Sequence, residues 1–134
     1  MVEKLILDEK RLALTLKRLA QQIVEQHRDM NQLVIIGIQP RGVWMANRII
    51  QLIQQEHPSF QPLLGKLDIS FYRDDVRQDA SIKSYPTDIQ FSIADKKVLL
   101  IDDVLYTGRT IRAALDALLA FGRPAKVELM VLID

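Results

Sequence analysis

Two short runs constrain this chain more than anything else in it: Leu33-Val34-Ile35-Ile36-Gly37-Ile38 and Lys97-Val98-Leu99-Leu100-Ile101. Both are almost wholly apolar, and both carry β-branched residues. Their length suits a strand, and the lack of polar alternation implies burial on both faces, as in the middle of a parallel sheet. Each run is followed by a break and then a helical pattern. Gln39-Pro40-Arg41-Gly42 ends the first. Val43, Ala46, Ile49, Ile50 and Ile53 then recur on one side of a helix, and Pro58 closes the region. The second run leads into a helix over Arg109–Phe121, with Ile111, Ala114, Leu115 and Leu118 expected inward. Gly122 stops that helix and Pro124 follows. Strands alternating with helices predict right-handed βαβ crossovers and an α/β fold with a largely parallel sheet and helices on both faces.

The remaining segments fit this frame. Asp8–Arg28 reads as a helix capped by Asp8, with Leu12, Leu16, Leu19 and Ile23 forming one apolar stripe. Leu63–Tyr72 reads as a further strand, and Val127–Ile133 as the last one. Between them, Arg73–Gln90 is polar, contains Pro86 and lacks apolar periodicity, so it is expected to be a long, partly mobile surface loop. Loops of that length inside a compact domain are often functional. The 134 residues fit one domain spanning 1–134.

Composition narrows the function. A net charge of +1 argues against a strongly electrostatic nucleic-acid binder, although a local basic face survives such a balance. The absence of cysteine excludes disulfides, thiol catalysis and thiolate metal sites. The start Met1-Val2-Glu3-Lys4-Leu5 lacks the pattern of a secretory signal, and no apolar run approaches the ~20 residues of a membrane span. A cytoplasmic protein without membrane contact is therefore expected. His27 and His57 lie near helix ends without paired ligands and are expected to face solvent. Trp44 and Met45 suit packing or a subunit interface.

The chemistry concentrates after the second run, in Asp102-Asp103-Val104-Leu105-Tyr106-Thr107-Gly108-Arg109-Thr110. A buried strand ends in two carboxylates, and a turn of small residues then opens a helix. In open α/β sheets that edge is where ligands bind. The turn Thr107-Gly108-Arg109-Thr110 offers backbone N–H groups, two hydroxyls and the positive end of a helix dipole, which suits a phosphate monoester. Gly108 lets the backbone approach the anion closely. Asp102 and Asp103 suit vicinal hydroxyls and hard cations. A ribose 5-phosphate satisfies both halves.

This segment resembles the phosphoribosyl pyrophosphate (PRPP) motif of type I phosphoribosyltransferases. The resemblance extends to Arg112-Ala113-Ala114, Gly122-Arg123-Pro124, Leu67–Asp75, Thr87-Asp88-Ile89 and Gly37-Ile38-x-x-Arg41-Gly42, and is closest to the PyrR subfamily. Members are uracil phosphoribosyltransferases, and many also regulate pyrimidine operons by binding mRNA. The resemblance implies that Asp102 and Asp103 hold the ribose hydroxyls, with Mg²⁺ bound mainly through PRPP. It implies that Thr107, Gly108, Arg109 and Thr110 cradle the 5-phosphate, and that Arg41 and Gly42 bind the pyrophosphate. Tyr72 and Arg73 begin the loop that closes over the reaction centre. The implied reaction joins uracil to PRPP, giving UMP and pyrophosphate, in a homo-oligomer.

Three features depart from the subfamily pattern. Its members continue past the position of Asp134 with a basic segment and strands forming most of the base-binding hood, so a chain ending there is expected to lack that part. RNA-regulating members carry Thr and His on the first helix where Lys17 and Gln21 stand here; Lys17 and Arg18 remain the candidate contacts to a pyr mRNA leader. Pro40 occupies a frequent Thr position. Two other readings stay open: an RNA-binding regulator that uses PRPP or a nucleotide only as effector, and a transferase for another base.

Overall fold

The computed structural model describes residues 9–27, 29–70, 86–104 and 108–133. In chain order the elements are α1 (Glu9–Gln26), β1 (Leu33–Ile38), α2 (Arg41–Glu56), β2 (Leu63–Leu67), β3 (Lys97–Val104), α3 (Gly108–Leu118) and β4 (Lys126–Ile133). The strands form one sheet in the order β2-β1-β3-β4, and every pair is parallel. The two apolar runs are its central neighbours, in register Ile35↔Leu99 and Ile36↔Leu100. Among the described residues, no helix is long and apolar enough to cross a membrane.

The strand order determines where the helices lie. The chain leaves β1 for one side of the sheet and leaves β3 for the other. With right-handed crossovers in opposite directions, α2 and α3 must cover opposite faces. The packing agrees. Met45, Ala46, Ile49 and Ile53 of α2, with Leu16, Ala20 and Ile23 of α1, enclose Leu33, Ile35, Leu99 and Ile101. On the other face, Ala113, Ala114, Ala117 and Leu118 of α3 cover Val34, Ile36, Ile38, Val98 and Leu100. Successive residues of β1 and β3 thus alternate between two cores, which is why Leu33–Ile38 and Val98–Ile101 carry no polar residue.

Several boundaries differ from the sequence expectation. β3 continues through both acids to Val104, because β4 offers backbone partners that far: Asp102↔Val131 and Val104↔Ile133. β2 stops at Leu67 rather than Tyr72. The Asp68 carboxylate accepts hydrogen bonds from the Ser70 N–H (3.0 Å) and hydroxyl (2.7 Å), turning the chain out of the sheet. The long polar stretch returns before Gln90. Asp88 exchanges both backbone hydrogen bonds with Lys66, and Ile89 is buried. On α3 the phase differs too: Leu115 points outward with Leu119, while Ala113 and Ala117 face the sheet. Met45 is core, and Trp44 is half exposed. His27 is buried rather than solvated, with Nε2 3.3 Å from a Glu128 carboxylate oxygen on β4. The expected cap Asp8 lies outside the described residues.

Candidate functional site

β1 and β3 are adjacent, yet their chains depart in opposite directions, so their C-terminal ends flank a topological switch point. Ligands of open α/β sheets bind in that crevice. Two strand-to-helix junctions meet there. The first runs from Ile38 through Gln39-Pro40, joined by a cis peptide, directly into α2 at Arg41. Sequence reading treated Arg41 as a loop residue; it is the first residue of a helix. Pro40 makes no side-chain cap on that helix. The first-turn N–H groups of a helix, together with the positive end of its dipole, suit an anion. The second junction runs from β3 to α3, which opens at Gly108 and presents its own N-terminus at the same edge. Thr107 lies outside the described residues, as do the side chains of Arg109 and Thr110.

The acids occupy the last turnless stretch of β3. Because odd-numbered residues of β3 face α2 and even-numbered ones face α3, Asp102 and Asp103 leave the strand on opposite sides. Asp103 accordingly meets α2: its Oδ2 lies 3.5 Å from Arg41 Nε. Asp102 Oδ1 accepts a hydrogen bond from the Asp103 N–H at 2.8 Å. The Arg41 side chain is 71% exposed and that of Asp103 26%. At such exposure the ion pair is worth less than about 1 kcal/mol, so the guanidinium is free to exchange partners. The structure thus brings together Arg41, Asp102, Asp103 and Gly108 at one edge.

Gly42 packs against the acid-bearing strand. It is buried, and a Cβ there would overlap the Ile101 carbonyl oxygen, lying 3.1 Å from its carbon and 3.3 Å from Asp102 Cα. Below it, a Cβ on Gly37 would lie 2.7 Å from the Gly42 carbonyl oxygen and from Val43 N and Cα. These backbone contacts join residues far apart in sequence and leave no periodic signal. Gln39 was also missed. Its N–H donates to the Leu67 carbonyl at 2.8 Å and its side-chain amide to the Pro86 carbonyl at 3.0 Å. The Asp68 N–H donates to Thr87 Oγ1 at 2.9 Å. Leu67 and Pro86 are therefore both bonded to Gln39, beside the Arg41 junction, and Asp68 to Thr87. Tyr72 and Arg73 lie outside the described residues.

Among the described residues there is no group of three or more His, Cys, Asp or Glu able to cage a metal. The donor set instead suits Mg²⁺, which binds through one or two carboxylates and ligand phosphates; Asp102 and Asp103 would supply the carboxylates. Lys17 and Arg18 are exposed on α1, away from this edge. Lys17 lines a groove of about 320 Å³ between α1 and the C-terminal half of α2, with Gln21, Glu25, Leu52 and Glu56. At 1.5 Å per residue, Glu56 lies roughly 20 Å along α2 from Arg41.

A phosphoribosyl transferase domain model matches residues 4–134. Similar relatives include the bifunctional protein PyrR of Ligilactobacillus salivarius, 47% identical over 98% of this chain and 75% of that protein. The bifunctional protein PyrR of Actinobacillus pleuropneumoniae is 46% identical over 99% and 74%. Among solved structures, a hypoxanthine phosphoribosyltransferase from Staphylococcus aureus superposes with a TM-score of 0.70 at 22% identity, over 94% of this chain and 64% of that one. A purine phosphoribosyltransferase from Pyrococcus horikoshii gives a TM-score of 0.63 at 21% identity, over 90% and 72%. At these identities the solved structures establish the shared fold. This chain spans about three quarters of the PyrR proteins' length and less than two thirds of the first of these structures.

Proposed function

This chain belongs to the phosphoribosyl transferase family, among the PyrR proteins, and on that premise we propose that it transfers the phosphoribosyl group of PRPP to uracil, giving UMP and pyrophosphate. One observation carries the reading: two helix N-termini flank a pair of carboxylates at a single switch point, with an exposed arginine beside them. PRPP has the matching order of groups, a diphosphate at one end, a diol in the middle and a monophosphate at the other.

In this reading the α3 N-terminus, with Gly108, Arg109, Thr110 and the preceding Thr107, receives the 5-phosphate. Asp102 and Asp103 accept hydrogen bonds from the ribose hydroxyls. Arg41 leaves Asp103 and pairs with the diphosphate, aided by the first-turn N–H groups of α2. A pyrimidine ring nitrogen donates its lone pair to the anomeric carbon as the bond to the diphosphate oxygen breaks. The bonding electrons leave with pyrophosphate, and the ring nitrogen's proton passes to solvent. The transition state has oxocarbenium character, so a nearby carboxylate stabilises it, and Arg41 stabilises the departing charge. No side-chain nucleophile is required; positioning supplies much of the rate. Asp102 and Asp103 would help hold Mg²⁺, which would supply charge neutralisation for the leaving group. Tyr72 and Arg73 contribute to closure over the centre.

The relatives' description as bifunctional supports a second role, binding of a pyr mRNA leader. Lys17 and Arg18 are its candidate phosphate contacts, and their distance from the switch point lets both roles coexist. We place the reaction in the cytoplasm, in a homo-oligomer whose interface includes the half-exposed Trp44. The test is a screen of nucleobases with PRPP and Mg²⁺, with and without excess chelator, and a leader-RNA titration at two salt concentrations. Uracil should be the preferred acceptor and chelator should abolish turnover. Preference for a purine, or full activity in chelator, would overturn the assignment. Salt-sensitive RNA binding without turnover would favour the effector-only regulator.

A further inference from the structure

We propose that Gly37 and Gly42 are positioning residues that fix Arg41 against the acid-bearing strand, so that the diphosphate end and the ribose end of the ligand site are held at a set separation. The inference rests on the reading of Arg41 as the diphosphate contact and deepens it.

The argument begins with backbone. The first turn of α2 lies directly on two strands. It touches β1 at Gly37 and β3 at the Ile101 carbonyl, immediately before Asp102. Both contacts exist only because neither glycine has a Cβ. A methyl on Gly42 meets the Ile101 carbonyl and Asp102 Cα; a methyl on Gly37 meets the Gly42 carbonyl and the Val43 backbone. Every one of these neighbours is main chain, which cannot rotate aside as a side chain would. Relief therefore requires movement of the whole α2 turn, and Arg41 moves with it. Gly42 is buried against β3, so its missing side chain serves this packing whatever its N–H contacts. Gly37 is buried in the middle of the sheet, with no exposure to a ligand at all. The seat matters because the neighbouring ion pair is too exposed to set the geometry. Misplacement of a binding group by about 1 Å is enough to cost on the order of a hundredfold in rate.

The experiment compares two ligands on the whole chain by calorimetry. Inorganic pyrophosphate with Mg²⁺ needs the Arg41 turn, whereas ribose 5-phosphate needs only the acids and the α3 turn. Gly37→Ala and Gly42→Ala should each weaken pyrophosphate by about tenfold or more, leave ribose 5-phosphate within about twofold, and keep the wild-type circular dichroism. Equal losses for both ligands, or no loss for either, would overturn the seat. A wild type that binds neither ligand would instead remove the underlying reading of the site. Because Gly42→Ala introduces the tighter overlap and can fail to fold, hydrogen exchange on the wild type supplies an independent measure. Pyrophosphate should slow exchange across residues 101–103 of β3 together with residues 41–43. Protection confined to 41–43 would show that the turn is not coupled to the strand.

Discussion

The two strand-to-helix junctions at the switch point do opposite things. Between β1 and α2, most residues serve the backbone: Gly37 and Gly42 are buried, Gln39 bonds to its neighbours, and the charged Arg41 side chain reaches out. Between β3 and α3, Asp102 and Asp103 stand half-buried, and the proposed function gives them the chemistry. In the proposed reading the first junction is a fixed mount and the second a gripping surface. The contrast teaches that nearness to a ligand site is a poor guide to what a residue does there. Ile101 and Asp102 are neighbours in sequence, yet one belongs to the core and the other to the site.

That contrast can be broken by substitution. The largest effect on stability should come from Ile101→Ala, which removes a fully buried side chain next to the acids. Large-to-small changes in such cores cost about 2–5 kcal/mol, and denaturant unfolding measures this directly; a loss below about 1 kcal/mol would mean the strand end is loosely packed. Next, Asp102→Asn with Asp103→Asn should abolish detectable PRPP binding by calorimetry while unfolding shifts by less than about 1 kcal/mol. Unchanged affinity would show that the second junction is not the gripping one. Smallest of the three, Arg41→Ala should weaken PRPP by roughly tenfold, about 1.4 kcal/mol, and leave stability within about 0.5 kcal/mol because its ion pair is solvated. A large loss of stability would reveal the arginine as part of the mount.

Much of this architecture could be read from residue patterns. Leu33–Ile38 appears as β1 with the expected limits, because a run buried on both faces has nothing polar to blur its ends. The strand alternation and the Gly122 stop were equally legible; that glycine has φ 127°, a conformation other residues avoid. Other features needed partners from elsewhere in the chain. The extension of β3 through Asp102 and Asp103 depends on β4, not on the strand preference of aspartate, which is poor. Leu115 looked like a core residue, but α3 approaches the sheet through alanines, and its bulkier leucine turned outward. His27 found Glu128 across a hundred residues of sequence. At the site, the carboxylate pair and the helix turn after it were visible as a motif. The mount was not, because a contact between two main chains depends on the absence of atoms rather than on any recurring residue type.

Gln39 links three parts of the fold. Through its amide it holds the end of β2 at Leu67, through its side chain it holds the chain at Pro86, and one peptide further on begins the turn that carries Arg41. A single residue, through its main chain and its side chain, thus works as a coupling pin between the end of β2, Pro86 and the cationic head of α2.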